Sequence, residues 1–130
     1  TAAEILSNNA ITEVGCQKDV RPFYQNADAL VFPSYREGFP NVVLEAGAMG
    51  LPSIVTDING SREIIVESKN GTIIPPKNEQ ALYNAMLYWV ENPQAVASMA
   101  ANARKMISKR FEKNFVQKCM VDFYNRVSKR

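Results

Sequence analysis

Two glutamates, Glu37 and Glu45, stand eight positions apart in the stretch Pro33-Ser34-Tyr35-Arg36-Glu37-Gly38-Phe39-Pro40-Asn41-Val42-Val43-Leu44-Glu45-Ala46-Gly47-Ala48-Met49-Gly50-Leu51-Pro52. The stretch reads as a strand end, a glycine-containing loop, a short helix and a stop. The helix is predicted to begin at Pro40 or Asn41 and to run to Met49. Gly50 then supplies the left-handed residue that ends it, and Pro52 forbids its continuation. A helix N-terminus offers unpaired N–H groups and a partial positive charge of roughly half a unit, a natural seat for a phosphate. Gly38 allows close approach of the backbone. Pro40 has no N–H, which leaves Phe39, Asn41, Val42 and Val43 as donors. Glu45 lies about 6 Å along the helix axis from Asn41. A carboxylate that close to a phosphate is repelled by it, and is better placed to accept hydrogen bonds from hydroxyls beside the phosphate, on a ribose or a sugar. An anion cradle with two hydroxyl acceptors suits a nucleotide sugar. The same spacing also fits a solvated loop glutamate, a half-buried helix glutamate and a helix end satisfied by water; spacing alone leaves both readings open.

The elements that must position these residues alternate along the chain. Thr1-Ala2-Ala3-Glu4 fits a capping box before a short helix ending near Asn8, and Ile11-Thr12-Glu13-Val14 alternates as a strand ending at Gly15. A helix over 20–26, with Phe23 and Tyr24 facing inward, precedes the apolar run Ala29-Leu30-Val31-Phe32, which reads as a strand buried on both faces. Beyond the motif, strands are predicted over 53–56 and 72–74, with a helix over 61–67 between them. Three helices close the chain, over about 79–91, 93–109 and 112–127. The first is expected to bury Leu82, Ala85, Met86, Trp89 and Val90. The second is expected to bury Val96, Met99, Ala100, Ala103, Met106 and Ile107, and the third Phe115, Cys119, Met120, Phe123 and Val127. Strand–helix alternation with short loops implies an α/β, Rossmann-like three-layer domain with a parallel sheet of about four strands. Ligands of such sheets bind beyond the carboxyl ends of the strands. Three loops are expected at that edge, 15–19, 34–40 and 57–61, and Gly15, Gly38 and Gly60 mark them; for Gly15 and Gly60, ordinary turn chemistry is the competing explanation.

The central stretch resembles the E-x7-E signature of retaining glycosyltransferases of the GT-B fold, family four, also called group 1. The resemblance is carried by Pro33, Ser34, Glu37, Gly38, Phe39, Pro40, Leu44, Glu45, Ala46, Gly50 and Pro52, and extends through Gly60-Ser61-Arg62-Glu63-Ile64, Gly71, Pro75-Pro76 and the closing helices. A bare E-x7-E is a weak signal; this context makes it a strong one. Gly47 departs from the family pattern, which more often has a larger apolar residue there, a difference of packing rather than chemistry. The resemblance implies that residues 1–130 form a single domain, part of the C-terminal, donor-binding half of a GT-B enzyme. It implies that Glu45 binds the ribose hydroxyls, that Glu37 sits against the donor sugar as the catalytic carboxylate, and that the backbone of Gly38, Phe39, Asn41, Val42 and Val43 holds sugar and diphosphate. Gly15 corresponds to the base-binding side, and Glu63 to a recurring glutamate without an assigned chemical role. It further implies transfer of a hexosyl or other glycosyl group, with retention, from a UDP- or GDP-sugar to a glycan or lipid-linked acceptor held by the missing N-terminal domain, with no metal and no cofactor. The family's basic Arg/Lys pair, in a G-R-…-K-G segment, is absent here, so the fragment alone is expected to be inactive. Cytoplasmic polysaccharide or glycolipid assembly, with peripheral contact at the inner membrane face, is the corresponding expectation of place.

Composition narrows the alternatives. A length of 130 residues supports one real core. Hydrophobic content of 46% and charged content of 22% are ordinary for a globular domain, and no apolar run approaches the roughly 20 residues of a membrane span. The first ten residues lack the basic start and apolar stretch of a signal peptide, and the chain lacks an initiator Met. Without a secretory signal, the sequons at Asn59 and Asn70 carry little weight. There is no histidine, which removes HExxH zinc sites and Ser-His-Asp triads from this chain. Cys16 and Cys119 stand apart and read as buried thiols. Residues 101–130 carry 9 basic and 2 acidic side chains, against 6 and 11 in residues 1–100. This reads first as a solvated helical face and second as a surface for anionic lipid or a negatively charged partner. Nucleic acid is not an expected partner, since no exposed aromatic platforms interleave the basic residues. G-x-G-x-x-G and Walker sequences are absent, which counts against dinucleotide oxidoreductases and P-loop enzymes. A receiver-type acidic cluster is absent too. A non-catalytic nucleotide-binding module of the same fold is the remaining alternative.

Overall fold

The structure is a computed structural model and describes residues 7–129, the side chain of Phe115 apart. The capping box expected at 1–4 lies outside the described residues. In chain order the elements are α1 (Arg21–Gln25), β1 (Leu30–Phe32), α2 (Asn41–Ala48), β2 (Ser53–Thr56), α3 (Ser61–Ile64), β3 (Gly71–Ile74), α4 (Glu79–Glu91), α5 (Pro93–Phe111) and α6 (Lys113–Ser128). The sheet is parallel, in the order β1-β2-β3, with Val31 beside Ile54 and Ile54 beside Thr72.

The middle strand is the buried one. All four residues of β2 are buried, whereas Val31 at the centre of β1 is 37% exposed. The apolar run at 29–32 is expected to be buried on both faces; at the edge of the described sheet it is covered only in part. Side chains alternate across β2. Val55 packs with Val43, Ile64, Ile65 and Ile107 on one face. Ile54 packs with Ile74, Trp89 and Met99 on the other. The two apolar groups make the helix–sheet–helix sandwich expected of an α/β domain. Helix α5, with 19 residues and hence about 28 Å long, places Met99 in one layer and Ile107 in the other.

Residues 11–14 form no strand, so among the described residues three strands stand where about four were expected. Ile11 and Val14 are each nearly half exposed. In a doubly wound sheet of order 3-2-1-4-5-6, strands 3 and 4 follow one another along the chain but are not neighbours in the sheet. A segment preceding β1 therefore has no obligatory place beside it, and two apolar residues cannot hold one alone.

Helix α2 ends as its sequence dictates. Gly50 adopts φ +82°, its N–H donates to the Gly47 carbonyl, and the Leu51 N–H donates to the Ala46 carbonyl. These are the two bonds of a Schellman cap. At Gly47 the helix meets α5: a Cβ there would stand 2.5 Å from Ile107 Cγ1. The departure from the family pattern at Gly47 is thus matched by a close approach of two helices. Gly47→Leu is expected to lower stability by about 1–3 kcal/mol through overpacking. Adding Ile107→Ala should restore part of the loss, as denaturant midpoints of the single and double variants would show.

The closing helices form where expected, but not all of their stripes are covered. Trp89 is buried and its Nε1–H donates to Thr72 Oγ1 at 3.0 Å, tying α4 to β3. Met86 and Val90, expected inside, are exposed, Val90 by 78%. In α5, Met99, Ala103 and Ile107 are buried as expected. In α6, Cys119, Met120, Phe123 and Val127 are exposed, against expectation. A spacing of three and four specifies a face, and burial of that face requires a partner surface; α6 touches the described part of the chain chiefly at its junction with α5. Both cysteines are exposed thiols rather than buried ones. Asn70, by contrast, is buried, accepts the Val66 N–H and donates to the Ile64 carbonyl. Its amide is committed to the fold and cannot serve as a glycan acceptor.

Candidate functional site

The loops after β1 and β2 leave the carboxyl edge of the sheet side by side, and two glycines set their contact. Gly60 has φ +85°, and a Cβ on it would lie 2.4 Å from the Gly38 carbonyl oxygen and 2.9 Å from Pro40 Cδ. Gly38 presents the opposite situation, because a Cβ on it would meet nothing within 4 Å. One glycine is needed so that the loops can touch, and the other faces open space.

Glu37 is half-buried in this edge. Ser34 Oγ donates to its Oε1 at 2.8 Å, and the Thr56 hydroxyl, at the end of β2, donates to the Ser34 carbonyl. The carboxylate is therefore tied through Ser34 to the central strand. It borders a cleft of about 330 Å³ with Tyr35, Arg36, Ile58, Asn59 and Arg62. The Arg62 guanidinium is held by Asp57 at 3.4 Å and by Asn59 Oδ1, which keeps a cation at the mouth of the cleft.

Glu45 sits on the exposed side of α2 and borders a different depression, about 300 Å³, with Leu44, Ala48, Ile107 and Phe111. Its Oε2 accepts from the Tyr24 hydroxyl at 3.1 Å. Burial, then the hydrogen bond and charge of Glu45, push the Tyr24 phenol up to about 12. Each carboxylate of the pair thus rests on one hydroxyl donor. In the sequence Tyr24 reads only as an inward-facing helix residue beside Phe23, which is exposed here, Thr56 only as a strand residue, and Ser34 only as part of the resemblance. Their hydroxyls reach across 21, 22 and 3 positions respectively, and only the last spacing is local.

The remaining candidates separate. Asn41 and Val42 are exposed at the start of α2, in the first-turn positions whose N–H groups lack intrahelical partners. Val43 does not belong with them: its side chain is fully buried in the core and its N–H donates to the Pro40 carbonyl. Phe39 turns toward the end of α5, its ring 5.6 Å from that of Phe111, so it anchors the loop. Gly15 has φ +64° and open space around it. With no strand at 11–14, the ground for placing its loop at the same sheet edge falls away. Among the described residues, no group of three or more His, Cys, Asp or Glu side chains is arranged to hold a metal, and no helix is long and apolar enough to cross a membrane. A larger cavity of about 570 Å³, between β3, α4 and α5, contains none of the motif residues.

A parallel sheet covered by helices on both faces, with its glycine loops and paired carboxylates at the carboxyl edge, defines an α/β domain of the doubly wound kind. The chain belongs to the family Glycosyl transferases group 1, which matches residues 2–106. It is 32% identical over 126 residues to an N,N'-diacetylbacillosaminyl-diphospho-undecaprenol alpha-1,3-N-acetylgalactosaminyltransferase of Campylobacter jejuni, covering 97% of this chain and 33% of that protein. It is 28% identical over 103 residues to the capsular polysaccharide biosynthesis glycosyltransferase CapM of Staphylococcus aureus, covering 79% of this chain and 27% of that one. A glycosyltransferase structure from Rickettsia africae matches with a TM-score of 0.87 at 24% identity, over 98% of this chain and 34% of its own. The structure of HepE from Anabaena in complex with UDP-glucose matches with a TM-score of 0.83 at 24% identity, over 92% and 33%. These likenesses establish the GT-B type of α/β fold. The chain spans between 27% and 34% of the length of these proteins.

Proposed function

We propose that residues 1–130 belong to the donor-binding domain of a retaining glycosyltransferase that takes a nucleoside-diphosphate sugar and delivers the glycosyl group to a glycan or lipid-linked acceptor. The observation that carries this reading is the pair Glu37 and Glu45, each held by a hydroxyl, on either side of an open glycine backbone that leads into a helix N-terminus. In this reading Glu45 accepts from the ribose hydroxyls. The N–H groups of Gly38, Asn41 and Val42 face the diphosphate, and Glu37 faces the donor sugar. As the glycosidic bond breaks, positive charge grows on the anomeric carbon beside Glu37 and negative charge on the leaving diphosphate at the helix N-terminus, where dipole and N–H groups oppose it. The relative from Campylobacter, named for a diphospho-undecaprenol acceptor, and the UDP-glucose complex of HepE support the acceptor and donor classes. In this reading the work is polysaccharide or glycolipid assembly at the cytoplasmic face of a membrane; the undecaprenol in the relative's name supports a lipid-linked acceptor, and the name of CapM supports polysaccharide assembly. The basic pair absent from this chain would come from the remainder of the protein, so transfer requires the full length.

The test is a calorimetric titration of the full-length protein with UDP, GDP and ADP and their common sugar conjugates. Glu45→Ala is expected to weaken the preferred nucleotide by at least about tenfold, the size of a lost hydrogen bond to a charged group. A protein that binds nucleotide but transfers no sugar to any acceptor would favour the non-catalytic module. Equal binding by Glu45→Ala would overturn the assignment of Glu45.

A further inference from the structure

Glu45 is exposed on a helix surface, a position where a glutamate ordinarily samples several rotamers. Here it does not swing freely, because one oxygen is taken by a side chain from another element. Tyr24 lies on α1, five residues long and without a buried residue. Of those five, Tyr24 alone is half-buried and the other four are exposed. Its hydroxyl reaches Glu45 Oε2 at 3.1 Å, and among the described residues Glu45 has no second side-chain partner.

We infer that Tyr24 is a positioning residue for nucleotide recognition: it fixes the plane of the Glu45 carboxylate so that the oxygen it leaves open faces the vicinal hydroxyls of a ribose. The inference rests on the donor-site reading of Glu45 given above. A carboxylate has about four acceptor sites on its two oxygens. One is used by Tyr24, and the carboxylate can then turn only about the Tyr24 bond. Ordering that side chain before the ligand arrives removes an entropic cost that binding would otherwise meet. Tyr24 serves only as a protonated donor, and its phenol is pushed up to about 12 by burial and by Glu45, so the donor persists through the physiological range. The class of ligand follows: a nucleotide with an intact ribose diol is distinguished from one lacking it, and Tyr24 sharpens the distinction without touching the ligand.

The experiment compares two ligands, the nucleoside diphosphate that the full-length protein prefers and its 2′,3′-dideoxy analogue, by calorimetry. The proteins are wild type, Tyr24→Phe, Glu45→Ala and the double variant. Wild type is expected to prefer the ribonucleotide by about tenfold or more. Tyr24→Phe should weaken the ribonucleotide by about threefold to tenfold, the range for one pre-ordered side chain, and leave the dideoxy analogue unchanged. It should have no further effect in the Glu45→Ala background. Equal weakening of both ligands, or of neither, in a protein whose discrimination still depends on Glu45 would overturn the role of Tyr24 and leave the donor site standing. Loss of discrimination nowhere, including in Glu45→Ala, would overturn the donor-site reading itself and the role of Tyr24 with it.

Discussion

In the full-length protein, Glu37→Gln is expected to lower kcat by about 100-fold to 1000-fold while changing the affinity for the free nucleoside diphosphate by less than about threefold. The magnitude is that of a single preorganised group facing developing charge in a water-poor site. The separation of the two constants follows from position. Glu37 borders the cleft with Arg36, Asn59 and Arg62, whereas Glu45 borders a different depression on the other side of the motif. A group that meets the sugar only as positive charge develops lowers kcat, and a group that holds the ribose in ground and transition states alike alters binding. Glutamine keeps the size of Glu37 and can still accept from the Ser34 hydroxyl that lies 2.8 Å from Oε1. The fold should therefore survive, and steady-state kinetics with a parallel titration would be interpretable. A variant that lost nucleotide affinity and kept kcat would assign Glu37 to binding instead.

Gly60→Ala should be the most disruptive single-methyl change in the motif region. Two costs coincide there. The backbone is left-handed at φ +85°, and the new Cβ would stand 2.4 Å from the Gly38 carbonyl oxygen, a backbone atom that no rotamer change can move aside. Strain of this kind is of order 1–3 kcal/mol, and relief requires the two loops to part. Thermal or urea unfolding should show a loss of about 2–4 kcal/mol. The shift of the Gly38 loop, on the scale of an ångström, should reduce kcat/KM by about 100-fold. Gly38→Ala is the control. Its Cβ would meet nothing within 4 Å, so stability should change by less than about 0.5 kcal/mol, and a fall in donor affinity would report the ligand side of the same loop. If Gly60→Ala were as stable as wild type, the contact between the two loops would not be the feature that shapes this edge.

Much of this arrangement follows from local chemistry. β2 and α4 lie where the apolar spacing placed them, and Gly50 and Pro52 stop α2 because a left-handed cap and a missing N–H act on the chain whatever surrounds it. The pairing of Glu37 with Glu45 is equally local, a matter of eight positions along one loop and helix.

What the sequence left open required a partner from elsewhere. Ile11 and Val14 alternate as a strand should, but a strand exists only beside another, and none of the described strands lies next to them. The stripe of Met120, Phe123 and Val127 on α6 is real, yet these residues are exposed because no described surface meets them. Val43 was one of four apparent backbone donors until packing made it core and Pro40 took its N–H. In a one-dimensional reading Tyr24 is only an inward-facing helix residue and Thr56 only a strand residue. Their hydroxyls matter because folding brings the Tyr24 side chain to Glu45 and the end of β2 under Ser34, across 21 and 22 positions of chain. Periodicity and caps act between near neighbours and can be read in order along the sequence; burial, strand pairing and the aim of a hydroxyl depend on distant segments, and only the tertiary structure decides them.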